Sequence, residues 1–248
     1  IVTTGGAVWR ISKEIESIVY AIDINHAKER HLNPTLLNTL KNPALMICGV
    51  RNPLHLNKCI NIADNNGNTK KNKSNTRNNI EKNIMSTVLA TLRNGGDVLF
   101  PTDSSTRLLE LLLFFDQEWG KIKSKGSYRI ALLHHNGFNV IDFANLLLSW
   151  MSTTVTDNFD NNRVKAFDLK YIEIVRTKQE LEDLPSPKVI FATSQTMDYG
   201  YAHDIIGETK FSGNPNNTII FTNKPSSNKT SISYKLAQHI VNGATIIA

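Results

Sequence analysis

Residues 97–119, DVLFPTDSSTRLLELLLFFDQEW, decide the fold. Val98-Leu99-Phe100 is a compact apolar run behind Gly95-Gly96. So short a run, bounded by turn residues, predicts a buried strand. Pro101 closes it, because proline brings no N–H to a ladder. Asp103-Ser104-Ser105-Thr106 then offers side-chain oxygens able to cap a helix. From Arg107 onward Leu108, Leu111, Leu112, Phe115 and Trp119 recur at three- and four-residue steps, which predicts a helix with one apolar face. A strand, a polar loop and a helix opening at the strand's carboxyl end is the arrangement in which α/β folds place ligands. Asp103 and Ser104 can equally do no more than cap the helix.

Outward from this unit the chain alternates. Residues 84–93 predict a helix stopped by Asn94-Gly95-Gly96. Beyond Trp119, residues 128–133, 169–175, 189–192 and 218–221 read as strands, and residues 139–150 and 231–241 as helices. On the first of these helices Val140, Phe143, Ala144, Leu147 and Trp150 form the expected buried stripe. Such alternation predicts a mainly parallel sheet with helices on both faces, with residues 98–100, 128–133, 189–192 and 218–221 side by side.

The first fifty residues differ. AVWRI at 7–11 alternates apolar with polar, and IVYAI at 18–22 is β-branched and aromatic. The pair predicts a hairpin. LMICGV at 45–50 is apolar throughout and predicts a strand buried on both faces. At Asn57 the composition shifts. Residues 57–83 are rich in asparagine and carry Lys70, Lys71, Lys73, Arg77 and Lys82. Such a stretch buries too little apolar surface to offset its ordering entropy and reads as a mobile, solvated insertion rather than an RNA-binding arm.

Among 248 residues, 40% are hydrophobic and 20% charged, the balance of a globular protein. No apolar run reaches the roughly 18 residues that a membrane span needs. The net charge of +6 favours a polyanionic partner such as RNA, though weakly. Cys48 and Cys59 lack CxxC spacing and read as two buried or half-buried thiols in a reducing compartment. There is no GxGxxG, no GxxxxGK[ST] and no HExxH, so nothing supports a dinucleotide, P-loop or zincin site. His26 and His31 are five residues apart, a poor spacing for one helical face, and each isolated histidine reads as structural or exposed rather than as a metal ligand. Ile1 enters mid-pattern, so the chain reads as a segment of a longer protein.

Five colinear stretches carry a resemblance: Gly5-Gly6-Ala7-Val8-Trp9, residues 20–26 (YAIDINH), residues 103–112 (DSSTRLLELL), residues 148–152 (LSWMS) and residues 184–190 (LPSPKVI). In these the chain resembles the metallo-β-lactamase/β-CASP proteins of pre-mRNA 3′-end processing. The resemblance implies an α/β chain, a metallo-β-lactamase fold fragment over residues 1–50 with an inserted Rossmann-like β-CASP domain over residues 51–248. Active members of the family hold two zinc ions on histidines and carboxylates, which generate a hydroxide for attack on the phosphodiester. Of the matching positions Asp23 is retained, while Val2 and Gly49 offer no ligand.

The resemblance therefore implies a non-catalytic member without a metal cofactor. In it Asp23 takes replacement donors such as Asn25, His26 or backbone N–H groups. The expected partners are the pre-mRNA 3′ region, the endonuclease subunit of the same complex and a symplekin-like scaffold. The expected location is the nucleus, with no membrane contact. The alternative is an active zinc-dependent β-CASP endoribonuclease with an unusual ligand set. Asp103, Ser104 and Arg107 match the family's loop facing the cleft through which RNA passes. Arg107 suits a phosphate there, or an ion pair with Glu110 or Asp103, and both remain open.

Overall fold

The computed structural model describes residues 8–22, 28–40, 42–48, 73–104, 106–122, 128–163, 165–222 and 228–239. They form two sheets. The smaller has the order β1-β2-β3, from Trp9–Lys13, Glu16–Ala21 and Leu45–Cys48. β1 and β2 make the expected antiparallel hairpin, and β3 joins β2 in parallel. The expectation of a strand buried on both faces fails at β3. Every residue from Leu45 to Cys48 is exposed, because β3 lies at an edge and no described element covers it.

The larger sheet has the order β6-β5-β7-β4-β8 and is parallel throughout. β4 is Val98–Pro101, β5 Arg129–Leu133, β6 Ile172–Val175, β7 Lys188–Ala192 and β8 Thr218–Ile219. The four strands expected side by side are all present. β4 sits inside, bonded to β7 on one side and β8 on the other. Its side chains alternate between two cores, as the two-residue period of a strand requires.

Val98 and Phe100 join Ile130, Leu132, Val189 and Phe191 beneath helices α1 (Lys73–Arg93), α2 (Thr106–Lys121), α3 (Gly137–Leu146) and α4 (Thr153–Asn162). Leu99 joins Ala131, Leu133, Ile190 and Ala192 on the other face, beneath α5 (Lys178–Asp183), α6 (Gly200–Gly207), α7 (Thr209–Ser212) and α8 (Ile232–His239). In the first core Phe100 stacks on Phe191 at 4.9 Å between centroids, and Phe115 meets both edge-on.

α2 buries Leu108, Leu112, Phe115 and Trp119 of its expected stripe, but Leu111 is only half-buried, and Leu109, Leu113 and Phe114 are buried as well because the helix is covered on more than one side. α1 ends as read. The Gly96 N–H donates to the Thr91 carbonyl around Gly95, whose φ is +76°, and a Cβ on Gly96 would lie 2.1 Å from the Asn216 carbonyl oxygen.

Three expectations are corrected here. α1 begins at Lys73, so residues 73–83 of the supposed mobile insertion are helix, and residues 57–72 lie outside the described ones. The helix expected over residues 139–150 is α3 followed by a 3-10 turn at Leu148–Trp150. Its core-facing residues are Gly137, Ile141, Ala144 and Leu148, while Phe143 and Trp150 of the expected stripe are exposed.

Candidate functional site

Glu110 is the one charged residue in LLELLLFF, and α2 carries it to within 6% of full burial. A buried carboxylate must find cations or donors, because its desolvation otherwise costs several kcal/mol. They come from a segment 80 residues earlier. The Arg30 backbone N–H donates to both Glu110 oxygens at 3.1 and 2.9 Å, and Nδ1 of the fully buried His31 lies 2.8 Å from Oε2. Arg77, on the first turns of α1, pairs with Oε1.

Arg30 extends the network. Its Nη1 and Nη2 reach the two oxygens of Glu81 at 2.8 and 2.9 Å, a bidentate fork, and Arg77 Nε reaches Glu81 as well. The Arg30 guanidinium lies 4.9 Å from the centre of the Phe114 ring. Behind it Ser152, at the start of α4, fixes the backbone. Its N–H donates to the His31 carbonyl at 2.9 Å, and its hydroxyl to the Arg30 carbonyl at 2.8 Å.

The electrostatics follow from this packing. Burial alone would raise the pKa of Glu110, but hydrogen bonding from His31 and the Arg30 N–H, with the charge of Arg77, holds it at about 2. Glu81 is shifted the same way: burial opposes, and Arg30 and Arg77 prevail to lower it. For Arg30 burial opposes the charge, and Glu81 and Glu110 raise its pKa.

Glu29, His31 and Glu110 place potential metal-ligand atoms within 4.8 Å of one another. The donor set does not fit a metal. Glu110 already accepts from the Arg30 N–H, His31 and Arg77, and a cation there would have to displace the guanidinium of Arg77. The arrangement can hold chain segments together; it leaves neither oxygen of Glu110 free to activate water.

Val2, Asp23 and Gly49 lie outside the described residues. Asp103, Ser104 and Arg107 stand together at the carboxyl end of β4 and the first turn of α2. Asp103 is half-buried, and its Oδ1, like Oγ1 of the neighbouring buried Thr102, has no hydrogen-bond partner among the described residues. Ser104 and Arg107 are exposed. Neither ion pair considered for Arg107 forms, since Glu110 is taken by Arg77, Arg30 and His31.

Sequence reasoning did not single out Arg30 or Glu81, named Arg77 only as one basic residue of the asparagine-rich stretch, and named His31 without its carboxylate partner. The signal available was a lone carboxylate inside an apolar run, which demands a basic partner somewhere in the chain.

Residues 108–231 match the β-CASP domain, and residues 2–53 match a metallo-β-lactamase superfamily domain. The chain is 33% identical over 220 residues to cleavage and polyadenylation specificity factor subunit 2 of Arabidopsis thaliana, covering 88% of this chain and 27% of that protein. It is 34% identical over 226 residues to the probable cleavage and polyadenylation specificity factor subunit 2 of Drosophila melanogaster, covering 90% and 27%. To cleavage factor two protein 2 of Schizosaccharomyces pombe it is 28% identical over 230 residues, covering 90% and 26%. The chain thus spans about a quarter of the length of these relatives. Arg30 and His31 lie in one matched region and Glu110 in the other, so the network joins the two. With half its residues in the β-CASP match and a metallo-β-lactamase match ahead of it, the chain belongs to the metallo-β-lactamase/β-CASP family.

Proposed function

We propose that this chain serves pre-mRNA 3′-end cleavage and polyadenylation in the nucleus, as part of a non-catalytic subunit of the cleavage and polyadenylation specificity factor. In this reading residues 1–50 belong to the metallo-β-lactamase domain and residues 51–248 to the β-CASP domain. The subunit acts as a scaffold and RNA-contacting partner of the endonuclease subunit and of a symplekin-like protein. The observation that carries the reading is the likeness, over about nine-tenths of this chain, to relatives named as subunit 2 of that factor.

Two features support the non-catalytic part. At the two positions that the family resemblance aligns with zinc ligands of active members, Val2 offers an apolar side chain and Gly49 none. In the metal-competent cluster among the described residues, Glu110 is held by Arg77 and His31. For RNA contact, Ser104 and Arg107 offer a hydroxyl and a guanidinium at the carboxyl end of a parallel sheet, where α/β folds bind ligands, with Asp103 beside them.

The test uses the full-length protein, purified without its partners. Bound zinc is measured, and the protein is incubated with a polyadenylation-site RNA. Expected are sub-stoichiometric zinc, no cleavage, and RNA binding that weakens with salt and with Arg107→Ala. Near-stoichiometric zinc with cleavage abolished by Asp23→Ala would establish the endoribonuclease reading instead.

A further inference from the structure

α3 and the 3-10 turn after it are apolar on two opposite sides. Ile141, Ala144 and Leu148 face the core. Phe143, Leu146 and Trp150 recur at i, i+3 and i+7 on the other side and are 52%, 76% and 71% exposed. A helix apolar all round is normally covered all round, and three large side chains aligned on one exposed face mark a contact surface rather than scattered surface residues.

The surroundings name the chemistry of the cover. The protein carries a net charge of +6, yet residues 137–162, which form α3, the turn and α4, hold Asp142, Asp157 and Asp160 and no Lys, Arg or His. Asp142 is exposed and precedes Leu146 by one helical turn, so its carboxylate borders the apolar row. At the amino end of α3 the Arg176 guanidinium lies 4.8 Å from the Phe138 ring, so the face begins beyond Phe138, at Phe143.

We propose that the Phe143–Leu146–Trp150 face is a docking surface for a basic amphipathic helix of another protein, whose apolar row packs on these three side chains and whose lysines or arginines meet Asp142. Spacing i, i+3, i+7 is the ridge that a partner helix reads, and one aromatic anchor at each end suits a contact dominated by a few residues. The proposal stands apart from the processing role, since it needs neither RNA nor zinc.

The test uses the full-length protein and two fluorescein-labelled synthetic helices of about five turns with the same leucine row, one with lysine and one with glutamate on the polar face. Anisotropy should show the lysine helix binding at least about tenfold more tightly than the glutamate helix. Phe143→Ser with Leu146→Ser should weaken it by about tenfold or more, and Asp142→Asn by a few fold with a shallower salt dependence. Tyr199→Ser, at an exposed aromatic on another element, should change nothing. All these residues are exposed, and melting curves check that each variant folds. Equal binding of the two helices, or full binding by the double serine variant, would overturn the proposal. So would self-association of the protein that Leu146→Ser abolishes, because the occupant would then be a second copy.

Discussion

The two sheets are built from similar strands and end differently. β3 reads LMIC and β4 reads VLFP, both short apolar runs. β4 is buried at every residue, and β3 at none. The difference lies in what surrounds each strand. β4 has a strand on either side and a helical layer over each face, whereas β3 has β2 on one side and no other described element against it. Within the smaller sheet only the middle strand hides a face, with Ser17, Val19 and Ala21 buried and Ile18 and Tyr20 exposed. An apolar run thus states what a strand tolerates, and the rest of the chain decides what it receives.

Substitution should expose this contrast most strongly at β7. Phe191→Ala removes a fully buried ring in contact with Phe100 and Phe115. The expected loss is about 3–5 kcal/mol, read from urea unfolding. A loss below about 1 kcal/mol would break the comparison by showing that the larger sheet does not depend on its filled face.

Glu110→Gln comes next, because it acts where the segment between β2 and β3 of the smaller sheet meets the helices of the larger. Arg77, Arg30 and His31 lose a charged acceptor, and about 2–3 kcal/mol should go with it. The pH dependence fixes the cause. The Glu110 pKa is lowered from an ordinary 4.5 to about 2, so its contribution is complete above about pH 4.5 and is lost as the pH falls toward 2. Glu81, lowered as well, acts in the same direction. Wild-type stability should therefore fall more steeply across that window than stability of the Gln variant. Parallel curves for the two would remove Glu110 as the source.

Lys188→Met probes burial within β7 itself. The Lys188 ammonium donates to the carbonyls of Leu181 and Leu184 at 2.6 and 2.8 Å, and burial lowers its pKa. Methionine fills the space and leaves both carbonyls without that donor, so about 1–2 kcal/mol is the expected cost in the same unfolding measurement. The smallest effect belongs to β3. Ile47→Ala, at an exposed edge, should change stability by less than about 0.5 kcal/mol.

The larger sheet was legible because its strands are short, apolar and punctuated, and the core side of α2 because Leu108, Leu112, Phe115 and Trp119 recur on it, with Leu109, Leu113 and Phe114 buried alongside. α3 misled for the opposite reason. With apolar residues on both sides, periodicity alone cannot tell the core side, and Gly137 and Ala144 proved to be the close-packed positions. The first half of α1 was hidden by composition. Its asparagines are poor helix formers, and tertiary partners of Arg77 and Glu81 override that preference. α4, with Thr153, Thr154 and Thr156 in its first turns, gave no helical signal. Of the candidate site, the loop at Asp103, Ser104 and Arg107 was visible as a strand-to-helix junction. The Glu110 network was not, since the partners of Glu110 lie 33 to 80 residues before it and meet it only on folding.

The place of β4 inside its sheet also sets a timetable. The strand's two neighbours arrive late: Asp97 meets Lys188 after 91 residues and Asn217 after 120. On a ribosome this all-apolar strand therefore emerges well before either strand that will flank it, and it waits with both edges open. The α2 helix that follows at once can shield one face meanwhile, being local in sequence and fast to form. Closure of the sheet by contrast depends on long-range encounters, so synthesis pauses placed before residue 188 lengthen the interval in which VLFP is exposed to other chains.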